Sequence, residues 1–412
     1  MKLLMPKGKI FLAVFACLLF SACIKDKVTR TYTIQTPVFA SKAAVLAGIS
    51  ATPARKIEET GKIYWLGSWI FMSEPSRGIH IINNRNPAAP KPEAFIALPG
   101  NIDIAVKGTT LYADLYTDLL VLDISEPLNP VLKKTIPNVF PDRRYVNGFY
   151  LDPSQVIVDW IKKDTTVDIG DGGQPMPGFG CINCSFAELN VGTKSPEGKA
   201  GSMARLSIVN DNLFVVNSEK LLSYSLSNYL DPSFAGELAL GWGIETLYPF
   251  KDKLFIGSST GMYIADIQNP ASPQLQGTFT HARACDPVVA DDKFAYVTLR
   301  TGNFCGGSLN QMDILDVSNV MQPKLIKTYL LSNPHGLALK DPFVYICDGK
   351  AGLKVYNVSN KQAIELKQQL DIEDAFDIII RGTEALVVGK KHLYQFRIKT
   401  DGHLDLVSRY GF

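Results

Sequence analysis

Short apolar runs with alternating polar positions recur along the chain, and each run ends in a polar residue. In five copies a proline follows seven positions later, as in LLVLDISEPLNP and MYIADIQNPASP. The polar residues of the seven copies are Asn83, Asp123, Ser225, Asp266, Asp316, Asn357 and Arg397. Their spacings are 40, 102, 41, 50, 41 and 40. The chain is therefore a repeat with a period of about 40 residues, interrupted by two insertions.

Each repeat contains four short β-strands. In the second copy these are IDIAVKG, TLYADLY, LLVLDIS and PVLKKTI, and turn residues such as Gly-Thr-Thr and Pro-Leu-Asn-Pro separate them. Their Val, Ile, Leu and Tyr content favours sheet over helix. Four strands in about 40 residues are typical of a propeller blade. We predict an all-β, seven-bladed β-propeller of four-stranded blades. The alternatives are six blades with a decorated edge, and an open β-solenoid.

The N-terminus has the features of an export signal. Lys2, Lys7 and Lys9 precede an apolar stretch, residues 10–20, that is too short to span a bilayer. The sequence Phe-Ser-Ala-Cys that follows resembles a bacterial lipobox, which implies that Cys23 is lipidated and becomes the mature N-terminus. The alternative is an ordinary cleaved signal with a chance cysteine.

The domain organisation follows from these two patterns. Residues 1–22 are predicted to be a lipoprotein signal peptide, and residues 23–60 an acylated tether and N-terminal segment. Residues 61–412 are predicted to form the propeller, with an insertion at about 137–202. The Ile-Lys-Asp-Lys after Cys23 is similar to a surface-export signal, so we expect an outer-membrane lipid anchor at the cell surface or, alternatively, facing the periplasm.

The runs LVLDIS, YIADIQ and ILDVSN resemble the LVIVD repeat. The resemblance extends over roughly residues 28–412. Chains of this kind occur as lipoproteins of Bacteroidota, so the resemblance implies a propeller in an extracytoplasmic location. It implies little about activity.

Composition and charge exclude some partners. The chain is 46% hydrophobic and 20% charged, as in ordinary globular proteins. Its formal charge of +2 becomes −1 when the three signal-peptide lysines are subtracted, and no long basic run is present. This argues against nucleic acid, and against membrane attachment other than through the N-terminal lipid. We find no Walker or HExxH motif, and we predict no catalytic residue, metal or cofactor.

A column of polar residues should surround one mouth of the propeller channel. Counting back eight positions from the start of each second strand gives Lys62, Asp103, Arg205, Thr246, Asp286, His335 and Asp377. One interpretation is a ligand-binding ring, in which Asp286, His335 and Asp377 are compatible with a metal. The other is a ring of opposite charges that neutralise one another. Such pairing should lower the aspartate pKa values and raise the pKa of His335.

The mature chain has five cysteines after Cys23, consistent with export. Cys285 and Cys305 are predicted to lie on one face of the fifth blade and to form a disulfide. Cys181 and Cys184 form a CxxC within the insertion, interpreted as a structural disulfide, with redox and zinc sites as alternatives. No partner is predicted for Cys347.

Two functional hypotheses follow. The first is a non-catalytic binding module for a protein or glycan at the cell envelope, acting through the face that carries the insertion. The alternative is a metal-dependent, lactonase-like hydrolase that uses the channel ring, although the cations Lys62 and Arg205 disfavour a central metal. A purely structural envelope protein is a third option. Aromatic residues of the insertion offer a binding surface or a small private core: Tyr145, Tyr150, Trp160 and Phe179.

Overall fold

Each predicted repeat folds into an antiparallel sheet whose four strands follow one another in sequence order. The computed structural model describes residues 29–168, 199–200, 202–281, 287–300 and 309–412. Within these residues there are seven such blades, and the innermost strands of successive blades contact one another from blade 1 to blade 7. The seven-bladed prediction is confirmed, and the six-bladed alternative is wrong.

The first half of the chain builds two blades and the segments that flank them. β1 (Thr29–Ser41), α1 (Lys42–Ala47) and β2 (Ala51–Pro53) precede the first blade. Blade 1 is β3 (Ile63–Leu66), β4 (Trp69–Glu74), β5 (Gly78–Asn83) and β6 (Lys91–Ala97). Blade 2 is β7 (Ile104–Lys107), β8 (Thr110–Leu115), β9 (Asp118–Asp123) and β10 (Val131–Ile136). The connection to blade 3 contains a 3₁₀ helix (Pro141–Arg144), β11 (Tyr145–Val146), β12 (Phe149–Tyr150), β13 (Gln155–Asp168) and β14 (Lys199–Ala200).

The remaining strands build blades 3 to 7. Blade 3 is β15 (Leu206–Val209), β16 (Asn212–Val216), β17 (Lys220–Ser225) and β18 (Ser233–Ala239). Blade 4 is β19 (Ile244–Phe250), β20 (Lys253–Ser258), β21 (Gly261–Asp266) and β22 (Gln274–Thr280). Blade 5 is β23 (Val288–Ala290), β24 (Phe294–Leu299), β25 (Gln311–Asp316) and β26 (Lys324–Leu330). Blade 6 is β27 (Leu337–Lys340), β28 (Phe343–Cys347), β29 (Leu353–Asn357) and β30 (Glu365–Leu370). Blade 7 is β31 (Asp377–Arg381), β32 (Glu384–Val388), β33 (His392–Ile398) and β34 (Leu404–Gly411).

The recurring polar residue at the end of the third strand is explained by turn chemistry. In six of the seven copies its side-chain oxygen accepts a hydrogen bond from the backbone N–H two residues later, over 2.8 to 3.4 Å. Asn, Asp and Ser form such turns readily because their short side chains reach their own backbone. The polar position that defines the repeat therefore stabilises a loop and needs no ligand.

The hydrophobic core lies in the seams between blades. The three inner strands of each blade are buried on both faces because a neighbouring blade covers each side, as the all-buried pattern of β8 illustrates. At the seam that closes the ring, Ile63 and Trp65 of blade 1 pack with Leu386 of blade 7. Asn84 and Gln395 exchange two amide hydrogen bonds across the same seam, at 3.0 and 2.7 Å.

Two short strands extend the sheet of blade 1. β2 pairs with its outermost strand, β6, and β14 pairs with its innermost strand, β3. β14 also contacts β31 of blade 7. The end of the long connection between blades 2 and 3 therefore lies between the innermost strands of blades 7 and 1.

The chain divides into two compact units. The larger contains the propeller. The smaller, among the described residues, comprises 29–36 and 160–168, the outer parts of the paired strands β1 and β13. In it Thr33 Oγ1 donates a hydrogen bond to Asp164 Oδ1 at 2.6 Å. Across the described ranges, no helix has both the length and the apolar character needed to cross a membrane.

Candidate functional site

The residues predicted to surround the channel lie at the start of the innermost strands. Lys62, Asp103 and Arg205 each immediately precede such a strand, and Asp377 begins one. Thr246 lies within β19, and His335 stands two residues before β27. All are buried except His335, which is partly exposed. Asp286 lies outside the described residues.

Lys62 and Asp103 form an ion pair between blades 1 and 2. Nζ lies 3.1 Å from Oδ2, and each side chain is only 2% exposed. Burial lowers the pKa of Lys62 to about 8, although the Asp103 carboxylate acts to raise it. Burial raises the pKa of Asp103, opposed by the Lys62 ammonium. Desolvation of the two charges thus outweighs their attraction in setting both pKa values.

Asp103 also connects blade 2 to blade 3. Its Oδ2 accepts hydrogen bonds from the backbone N–H groups of Arg205 at 2.6 Å and Leu206 at 3.1 Å. Its Oδ1 accepts the N–H of Ile104 at 2.8 Å. One carboxylate therefore joins three blades, because its cationic partner belongs to blade 1.

A second charged group continues the ring across blades 3, 4 and 5. The arginines Arg205 and Arg300 act to lower the pKa of Glu245, which burial nevertheless raises to about 7. Burial lowers the pKa of Arg300, and the Glu245 carboxylate opposes it. Arg205 is 6% exposed, and its buried Nε and Nη1 have no hydrogen-bond acceptor among the described residues.

Sequence counting missed Glu245 and Arg300 for different reasons. The pairing of β19 with β20 shifts register between Ile244 and Thr246, so a constant count reaches Thr246, one residue too late. Arg300 follows β24, the second strand of blade 5, and a count along the first strands cannot find it. A lone charge after an apolar strand is the signal that could have indicated it.

His335 is held as a neutral imidazole. Its Nε2 accepts a hydrogen bond from Asn333 Nδ2 at 3.2 Å, and its ring lies 5.4 Å from that of Phe376. Burial, together with the charge of Arg300, lowers its pKa to about 3. The expectation of a raised His335 pKa is therefore wrong, because a guanidinium lies near the ring and burial disfavours its charged form. Its Nδ1 is buried without a partner among the described residues.

Asp377 is completely buried at the start of blade 7. Its Oδ1 accepts the N–H of Ile378 at 2.9 Å, whereas no described donor reaches its Oδ2. Burial raises its pKa to about 7, and the Lys62 charge opposes this shift. The expectation that the ring would lower the aspartate pKa values is wrong for Asp103 and Asp377, since desolvation outweighs the favourable charges at both.

The described ring alternates in charge type from blade to blade. In blade order it consists of Lys62, Asp103, Arg205, Glu245, Arg300, the neutral His335, and Asp377. The charges alternate from blade 1 to blade 5, as the self-neutralising interpretation expects, and the neutral His335 interrupts the alternation at blade 6. Within the ranges that the structure describes, no group of three or more His, Cys, Asp or Glu residues could hold a metal ion.

The first part of the insertion is a hairpin that displays aromatic side chains. β11 and β12 pair antiparallel around Asn147 and Gly148, whose positive φ angles of 51° and 79° suit a tight Asn-Gly turn. Tyr145 and Tyr150 face each other with ring centroids 5.3 Å apart. They are 65% and 52% exposed, and Phe149 is 40% exposed. These side chains form a surface and not a private core. Phe179 lies outside the described residues, and Trp160 lies in the smaller unit.

Blade 2 anchors this hairpin. Just before it, Phe140 is 1% exposed within the hydrophobic core. Arg143 forms an ion pair with the buried Asp114 and donates a hydrogen bond to the Gly100 carbonyl. Just after the hairpin, the N–H of Leu151 donates to the Arg144 carbonyl at 2.6 Å. The aromatic pair is thus held on a well-anchored base.

A small cavity of about 100 Å³ lies beside the insertion base. Its polar lining is already paired: Lys42 Nζ donates to Asp118 Oδ2 at 2.8 Å, and Arg144 Nη2 donates to Asn138 Oδ1 at 2.7 Å. The first bond fixes the start of α1 to blade 2, and the second lies within the insertion. The polar residues that line the cavity therefore help to anchor α1 and the insertion base.

The cysteine predictions fall largely outside the described residues. This applies to Cys23, Cys181, Cys184, Cys285 and Cys305. Cys347 ends β28 as a buried free thiol, and burial raises its pKa well above the usual range. It is an unreactive core residue.

A family model described as the LVIVD repeat matches residues 101–136, 254–281, 283–330 and 334–371. These segments correspond to blade 2, the outer three strands of blade 4, and blades 5 and 6. The chain therefore contains LVIVD repeats, and the structure places them as blades of a seven-bladed propeller.

Solved structures share the fold at low sequence identity. A protein from Lactobacillus plantarum is similar at a TM-score of 0.54 with 12% identity, covering 85% of this chain and 96% of its own. BamB from Moraxella catarrhalis is similar at 0.50 with 6% identity, covering 90% and 99%. A periplasmic gluconolactonase from Pseudomonas aeruginosa reaches only 0.49 with 10% identity, covering 85% and 96%. These similarities concern the fold alone. No curated protein matches the chain.

Proposed function

We propose that the protein is a lipid-anchored, non-catalytic binding module of the cell envelope, which presents its aromatic hairpin to a protein or glycan partner. The observation that carries the proposal is the exposure of Tyr145, Phe149 and Tyr150 on a hairpin anchored to blade 2. Exposed aromatic side chains are costly to leave in water and are enriched where proteins bind partners. A tyrosine pair offers apolar faces for stacking and hydroxyl groups for hydrogen bonds.

The hairpin lies where propellers carry binding loops. It belongs to a connection between the outermost strand of one blade and the innermost strand of the next, as the channel ring does. Loops on a rigid scaffold can change in sequence without disturbing the core, which suits them to recognition. Within the described residues the ring holds no metal-binding cluster, and Asp286, one of the three predicted ligands, lies outside them.

Replacing both Tyr145 and Tyr150 by Ala should weaken partner binding while leaving the fold intact, because both rings are mostly exposed. Loss of two aromatic contacts should weaken binding by about 2 kcal/mol or more, roughly 30-fold. Binding is measured on glycan arrays and on purified envelope proteins, with thermal unfolding as the check on folding. The matched control is Phe234→Ala, which removes an aromatic that is 58% exposed on the outermost strand of blade 3. Equal binding by the double variant and the control would contradict the proposal.

Anchoring at the membrane rests on the N-terminal sequence. Cys23 follows an apolar stretch and the small residues Ser21 and Ala22, as a lipidated cysteine does. The Cys23→Ser variant should move from the membrane fraction to the soluble fraction, since it cannot carry a thioether-linked lipid. The measurement is fractionation together with the intact mass of the mature protein. A variant that stays membrane-bound through its N-terminus would refute lipidation of Cys23.

A further inference from the structure

The channel ring contains hydrogen-bond donors that the described protein does not use. Arg205 Nε and Nη1 and His335 Nδ1 are buried without an acceptor among the described residues. Lys62 Nζ has its ion pair with Asp103 and donates no further hydrogen bond within the described ranges. A buried donor without an acceptor is costly, and proteins seldom keep several of them in one place without a ligand or water.

The hydrogen bond with Asn333 determines which ring nitrogen of His335 carries the proton. The Asn333 side-chain nitrogen can only donate, so Nε2 of the ring accepts and Nδ1 carries the proton. His335 therefore adds a neutral N–H donor to the two cations. Arg300, whose charge is felt by His335, adds further positive potential on that side.

Electrostatic effects and one close approach link these groups around the ring. Arg205 lies close enough to Lys62 for its charge to lower the Lys62 pKa, and the charge of Lys62 acts on Asp377. The Asp377 carboxyl in turn lies against Gly336, where any side chain would overlap with Oδ1. The site thus extends from blade 1 to blade 3 in one direction and to blades 7 and 6 in the other.

The described acids of the ring do not accept hydrogen bonds from these donors. The Asp103 carboxylate already forms an ion pair with Lys62 and accepts hydrogen bonds from backbone N–H groups. Asp377 and Glu245 both have pKa values raised to about 7, so each carries only part of its negative charge at neutral pH. Positive potential in a confined polar channel attracts anions.

We propose that the mouth of the channel binds a small oxyanion, a carboxylate or a phosphate group, through Arg205, Lys62 and His335. The site is independent of the aromatic hairpin. Charge-assisted hydrogen bonds from buried cations are the strongest that such a group can receive. The oxyanion can belong to a free inorganic ion or to a small organic acid, and the two sources share the chemistry that these donors recognise.

The test is calorimetric titration of the mature protein with inorganic phosphate and, separately, with succinate, at matched ionic strength. We expect saturable binding of at least one of them, and its affinity should fall about 10- to 100-fold in Arg205→Gln, as for loss of one charged hydrogen bond. The control is Arg85→Gln, which removes an exposed arginine elsewhere on blade 1 and should bind like the wild type. Preference for phosphate or for succinate identifies which source the site suits.

If Arg205→Gln does not fold, Arg205→Lys keeps the charge but removes guanidinium donors, and His335→Phe removes the neutral one. Weakened binding in both supports the site. The proposal is overturned if neither anion binds the wild type, or if Arg205→Gln and Arg85→Gln bind equally. It is also overturned if the anions bind all variants alike.

Discussion

Replacing Asp103 by Ala should destabilise the propeller by about 3–5 kcal/mol, the usual cost of leaving one member of a buried ion pair without its partner. The substitution leaves the Lys62 ammonium, whose side chain is 2% exposed, without its carboxylate partner. It also removes the acceptor for the N–H groups of Arg205 and Leu206, so that two hydrogen bonds between blades 2 and 3 are lost. The measurement is the free energy of unfolding from denaturant titration.

The control for this prediction is Lys62→Met, which removes the buried cation and keeps the acceptor. Asp103 then retains three backbone N–H donors, so this variant should lose less stability than Asp103→Ala. The double variant should be more stable than the sum of the two effects predicts, because the stranded charge is gone. Strictly additive effects would show that the two side chains do not interact.

Asp377→Asn should flatten the dependence of stability on pH. A carboxyl whose folded pKa is raised from about 4 to about 7 contributes stability that is fully present below pH 4 and is lost as the pH rises to 7. Glu245, with its pKa raised to about 7, acts in the same direction. The wild type should therefore be less stable at pH 7.5 than at pH 5, and the variant should lose about 2 kcal/mol less over that interval.

The titration of His335 opposes part of this loss of stability at rising pH. Its pKa is lowered to about 3, so its contribution is present above pH 6.5 and is lost as the pH falls toward 3. Two raised acids outweigh one lowered base between pH 5 and 6.5, and between 6.5 and 7 the acids act alone. Unfolding free energies at half-unit steps test this, with the exposed Asp142→Asn as the control. Parallel curves for wild type and Asp377→Asn would contradict the raised pKa.

The repeat period was enough to predict the blades because each blade depends on local strands and turns. Residues such as Asp123 and Asn357 recur because a loop needs their side-chain oxygens, and such local chemistry is visible in sequence. The approximate location of the ring was predictable for the same reason, since Lys62 and Arg205 occupy one position relative to their strands.

The chemistry of the ring was harder to predict. Sequence shows which charged residues are neighbours in a register, but it does not show how completely the fold removes them from water. The predicted directions of the pKa shifts of Asp377 and His335 were therefore wrong. Glu245 was missed because a bulge displaces it by one residue. β14 was not predictable either, because its pairing with β3 joins residues that are distant along the chain.

The position of β14 imposes an order on assembly. Residues 64 and 65 of β3 pair with residues 200 and 199 of β14. β14 also contacts β31, which begins at residue 377. A chain synthesised from its N-terminus therefore holds blade 1 with an unpaired inner edge until residues 199 and 200 are available, and the contact of β14 with β31 forms only near the end of synthesis. Unpaired edges are prone to intermolecular pairing, and contacts between distant residues form slowly. The ring should accordingly close at this edge only after blade 7 has been synthesised.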